Sequence, residues 1–127
     1  MSTVSNVKLE LVEHNHSKHT AKIRITYKIN LNSVEENMTG LKFKETIQLW
    51  GADSWSSDDF LCQFGYCYFG KSSNNIIYRD LLYEISENIL DEDGYWSDPD
   101  EVYAKVFIEP VMPTGSSARS NEIHHKF

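Results

Sequence analysis

The stretch Ala21-Lys22-Ile23-Arg24-Ile25-Thr26-Tyr27-Lys28-Ile29-Asn30-Leu31 decides the fold. Apolar and aromatic residues hold its odd positions and polar residues its even ones, the period of two of a strand with one wet face. Upstream, Val7, Leu9 and Leu11 alternate with Lys8 and Glu10 in the same way. The turn-like Asn15-His16-Ser17-Lys18 joins the two runs into a hairpin. Downstream, Leu41, Phe43, Ile47 and Leu49 alternate with Lys42, Lys44, Thr46 and Gln48, which predicts a third strand. Buried parallel strands read as continuous apolar runs, so this repeated one-sided alternation predicts antiparallel sheets.

The remaining strands are read from weaker patterns. Phe60 to Phe69 is apolar and aromatic almost throughout, which suits a strand covered on both faces or one at a sandwich edge. Val102, Ala104, Val106 and Ile108 alternate with Tyr103, Lys105, Phe107 and Glu109, and Pro110 and Pro113 are expected to end that strand. Trp50 is expected in the core. Between Asn75 and Leu90 the apolar spacing fits either element. A helix there would point its C-terminus at Asp91, Glu92 and Asp93, against its dipole, so the strand reading is preferred. The expected fold is all-β: a single antiparallel β-sandwich of about seven strands over residues 1–113, followed by a flexible polar tail, 114–127. The alternative is a sheet with one covering helix at 75–90.

A length of 127 residues fits one domain, and 40% hydrophobic with 24% charged residues is a globular composition. No apolar run approaches the ~20 residues of a membrane span. The start, Met1 to Asn6, has neither a cationic nor an apolar signal region. The expectation is a cytoplasmic protein. Its charge is unevenly spread: residues 1–50 carry net +2, and residues 51–110 carry net −10. The acidic half would repel phosphate, which argues against nucleic acid and for a cation or a protein partner.

Cys62 and Cys67 are the two cysteines. They are expected to be reduced, buried thiols. On a continuous strand they would face opposite ways; a loop over Gln63 to Tyr66 would set them opposite each other in a hairpin. No second pair completes a zinc site.

The densest chemistry lies between Asp91 and Glu101, where six carboxylates fall in eleven residues. Calcium takes six to eight oxygens, and clustered acids with loop carbonyls supply them. The register is not that of an EF-hand, because Ile89 would fall at the first ligand place and Asp100 at the twelfth. A second acidic segment runs from Gly51 to Asp59. In a sandwich the two would gather at one end, making Asp53, Asp58, Asp59, Asp91, Asp93, Asp98, Asp100 and Glu101 the candidate Ca2+ ligands. Trp55, Tyr95 and Trp96, flat aromatic surfaces beside those acids, are the candidate partner contacts.

Two further features bear on function. His14, His16 and His19 form an H-x-H-x2-H cluster about the first turn, a pattern able to hold zinc or copper but most simply an exposed polar turn. Glu45 shares the apolar parity of Phe43 and Ile47, so its carboxylate must be paired, protonated or placed at a rim. Nucleophile-elbow, Walker, H-E-x-x-H and dinucleotide fingerprints are absent. The expected function is a non-catalytic binding or structural module that meets a partner through its acidic, aromatic loops. The alternative is a small hydrolase or lyase using a carboxylate pair that includes Glu45.

Overall fold

The computed structural model describes residues 3–52, 57–71, 75–90, 101–111 and 120–125. Two antiparallel sheets pack face to face as an all-β sandwich. One sheet has the order β1-β2-β6, built from Thr3–Asn15, Thr20–Asn30 and Ile76–Ser86. The other centres on β3 (Lys42–Gly51), which pairs with β7 (Val102–Val111) along one edge. Its second edge is shared by β4 (Asp59–Gln63) and β5 (Cys67–Gly70), laid end to end. The crossing from β2 to β3 carries a one-turn helix, α1 (Ser33–Glu36), capped by Asn32 and Glu35 in a reciprocal box. Among the described residues no helix is long and apolar enough to cross a membrane.

The clean alternation of β2 and β3 translates directly into burial. Ala21, Ile23, Ile25, Tyr27 and Ile29 face Phe43, Glu45, Ile47 and Leu49 across the sandwich, and all are buried. Each fully buried aliphatic side chain contributes about 2 kcal/mol by leaving water. The core divides into two clusters. One gathers Tyr27, Ile29, Leu31, Leu41, Phe43 and Ile77; the other gathers Ile23, Ile25, Ile47, Leu49 and Ile85.

The segment 75–90 is a strand, β6, closed by the one-turn helix α2 (Glu87–Leu90). Four expectations need correction. In β1, extra residues shift the register between Ser5 and Lys8 and again between Leu11 and Glu13. The simple alternation of Val7, Leu9 and Leu11 therefore fails: Val7 is exposed, and Val4 and Leu9 pack on the core. Trp50 lies on the outward parity of β3, covered by the edge of Phe60 and by the Lys105 ammonium 4.1 Å from its ring. Pro110 stands within β7 rather than ending it, a position open to proline because β7 is an edge strand.

The fourth concerns the thiols. Cys62 and Cys67 pair with Leu49 and Glu45 along the same edge of β3, so no hairpin sets them opposite. Both are free; Cys62 is half-buried and Cys67 exposed. Of the expected tail, only 120–125 is described, as neither strand nor helix.

Candidate functional site

Glu45 lies between the two core clusters, 1% exposed. Its partner is Arg79, from the facing sheet. Arg79 Nε donates to Oε2 at 3.0 Å and Nη2 to Oε1 at 3.1 Å, a bidentate fork. The Tyr27 hydroxyl donates to the same Oε2. Tyr27 and Arg79 face each other as a register pair of β2 and β6, so two strands of one sheet aim at one carboxylate of the other. Burial, then the hydrogen bond to Glu45, pushes the Tyr27 phenol well above its ordinary range. Arg79 also stacks on Phe69 at 4.2 Å and reaches Cys67 Sγ at 3.7 Å. The sequence places no cation beside either thiol; the fold places one beside Cys67. Both oxygens of Glu45 are engaged and the group is sealed from solvent, which is the arrangement of a structural ion pair.

A second cluster stands at the end of the sandwich where β1 ends and β2 begins. The extra residue near Val12 resets the parity of β1, so that His14, paired with Ala21, falls on the same inward side as Leu11, which pairs with Ile23 ahead of the shift. Strict alternation would have turned His14 outward with Lys8 and Glu10. His14 Nε2 meets Glu87 Oε2 at 2.7 Å, and His19 Nδ1 meets Glu87 Oε1 at 2.7 Å. Bonding to His14 and then His19 holds the Glu87 carboxyl below its ordinary value. His19 has φ 56°, a left-handed conformation that non-glycine residues seldom adopt. Its carbonyl accepts from the Glu87 N–H at 2.9 Å, so side chain and backbone both fasten that turn to α2. The His16 ring lies 3.9 Å from that of His14.

Beside this cluster opens a cavity of about 610 Å³, lined by Leu9, Leu11, Ala21, Ile23, Leu90 and Val102 with His14 and Glu87 at its polar side. Leu11 is 63% exposed although it faces inward, because it borders this space.

The described members of the acidic set gather at the same end. Gly51 pairs with Asp59 on one side and Val102 on the other, and Ala52 N–H donates to the Glu101 carbonyl at 2.7 Å. Asp58 accepts from the Tyr103 hydroxyl at 2.6 Å. Asp53, Asp91, Asp93, Asp98 and Asp100, like Trp55, Tyr95 and Trp96, lie outside the described residues. Among the described residues, the group of three ligand-bearing side chains close enough to share a metal is His14, His16 and Glu87, not Asp58, Asp59 and Glu101. The sequence marked the histidines but not Glu87, which comes from 73 residues beyond His14.

No family model matches the chain, and no curated protein matches it. Among solved structures it is similar to a GH3 beta-glucosidase from Bifidobacterium adolescentis, at 11% identity and TM-score 0.39. That match covers 98% of this chain and 19% of the glucosidase. It is also similar to an X-ray structure of a Northeast Structural Genomics Consortium target, at 14% identity and TM-score 0.31, covering 98% of this chain and 96% of the other. Likeness this loose carries no assignment of activity.

Proposed function

We propose that the chain is a non-catalytic binding module that engages a protein partner through one end of the sandwich. The observation that supports this reading is the cavity whose apolar walls are Leu11, Ile23, Leu90 and Val102 and whose polar side is His14 and Glu87, with acidic Asp58, Asp59 and Glu101 at the same end. An apolar side chain entering that cavity, flanked by Lys or Arg, would match both its walls and the net −10 of residues 51–110. Ca2+ taken up by the acidic segments belongs to the same reading as an organiser of the contact. The Glu45 acid/base alternative is less well supported, since Arg79 and Tyr27 occupy that carboxylate.

The test is fluorescence anisotropy with short labelled peptides carrying one Leu or Phe between lysines, and with acidic counterparts. Expected is preferential binding of the basic peptides, weakened by salt, and roughly tenfold weaker binding by Leu11→Gln. Leu11 is exposed, so this change leaves the fold intact. Equal binding of basic and acidic peptides, or no effect of Leu11→Gln, would overturn the reading.

A further inference from the structure

We propose that His14, His16 and Glu87 form a binding site for a divalent transition-metal ion, zinc in the first instance, at the mouth of the cavity. This goes beyond the partner reading and does not depend on it, although the cavity shares His14 and Glu87.

Three observations carry the inference. First, one ligand atom from each of the three side chains lies within 4.8 Å of the other two. The edge of a tetrahedral zinc site is about 3.3 Å, given metal–ligand distances near 2.0–2.1 Å. His14 and His16 are exposed, which leaves their rings room to adjust toward that spacing. His14 and Glu87 already approach to 2.7 Å, so the metal would replace a bond between them. Second, the carboxylate is oriented before any metal arrives. His19 holds the second oxygen of Glu87 at 2.7 Å and its carbonyl accepts from the Glu87 N–H, the outer support that ligating carboxylates receive. Third, the bulge in β1 turns His14 to the cavity side, where two nitrogens and one oxygen leave a fourth position open to water or to a donor in the cavity. Two imidazoles select zinc, copper or nickel over calcium and magnesium, which require oxygen. The donor set therefore differs in kind from the acidic segments.

The experiment uses the full chain stripped with chelator and titrated with zinc chloride against a chromophoric competitor. Expected is one equivalent bound, with affinity lowered roughly tenfold or more by His16→Ala and by Glu87→Gln. His19→Ala, which removes a positioning residue, is expected to fall in the same range, while calcium and magnesium do not compete. His16 is an exposed turn residue, so its replacement keeps the fold and the test stands even if Glu87→Gln is destabilised. Unchanged affinity in His16→Ala would overturn the proposal. So would loss of binding only when His124 and His125 are both replaced, which would place the ion on the terminal segment. Peptide binding measured without zinc and with calcium present reads the partner proposal separately, and either result stands without the other.

Discussion

Tyr27 and Arg79 stand opposite each other across β2 and β6 and reach the same buried carboxylate, that of Glu45 in the facing sheet. The contact ties one sheet to the other midway between the two apolar clusters. It also fixes register. A one-residue slip of β6 against β2 would put the guanidinium on the wet face and leave Glu45 charged in the core.

Removing one partner of a buried ion pair costs about 3–5 kcal/mol, because the other is left uncompensated. Arg79→Met, which strands the buried Glu45 carboxylate, is expected to destabilise by that order in urea unfolding, and Glu45→Gln by less, since Arg79 is partly exposed. Glu45→Leu combined with Arg79→Met and Tyr27→Phe is expected to recover most of the loss, since an apolar replacement leaves no orphan. A triple variant no better than the single ones would sink the claim that the charges are structural.

The Tyr27 phenol is raised above its ordinary value of 10.0. In the unfolded chain it ionises near pH 10, whereas in the folded chain it stays neutral. Above pH 10 the unfolded state therefore holds fewer protons, and stability falls as pH rises, by up to about 1.4 kcal/mol per pH unit for this group. Tyr27→Phe is expected to show a shallower alkaline decline. Absorbance at the phenolate band should reveal ionisation that coincides with unfolding.

The acid side has the opposite sign. Glu87 is held below its ordinary value of 4.5 by His14 and His19, so its contribution is present above about pH 4.5 and is lost as pH falls below it. Glu87→Gln is expected to remove part of the acid sensitivity seen in melts between pH 5 and lower values. Identical acid profiles for the two proteins would mean that the bonds to the imidazoles contribute nothing measurable.

The two cation readings separate by mutation. Asp93→Asn with Asp98→Asn is expected to abolish any calcium-dependent rise in Tm while leaving the zinc response and the metal-free Tm unchanged. A ligand at a hundredfold over its Kd adds about 2.7 kcal/mol, several degrees for a domain of this size. Loss of the zinc response in this variant would show that the acidic segments, not the histidines, hold that ion.

The strands β2 and β3 were legible because their alternation is unbroken over whole elements, so pattern and burial coincide. β1 was not, because two single-residue shifts exchange its faces and no residue type announces them. Glu45 stood out as a carboxylate on an apolar parity, yet its partner lies 34 residues away on a strand whose spacing also fits a helix. The histidine cluster was visible as a motif. What makes it a site is Glu87, joined to it by pairing between distant segments, and such pairing leaves no local trace.

The shifted registers have a consequence for self-association. β1 is an outer strand with two shifts, and β4 with β5 forms another outer edge interrupted between its two parts. Neither offers a straight run of free backbone groups to a strand from another molecule. Among the described residues, the outer strands whose pairing is unbroken are β6 and β7, and β7 contains Pro110, which cannot donate. Edge-on growth between copies would therefore begin at β6, whose exposed face sets the charges of Asp80 and Glu84 beside the apolar surface of Tyr78 and Leu82.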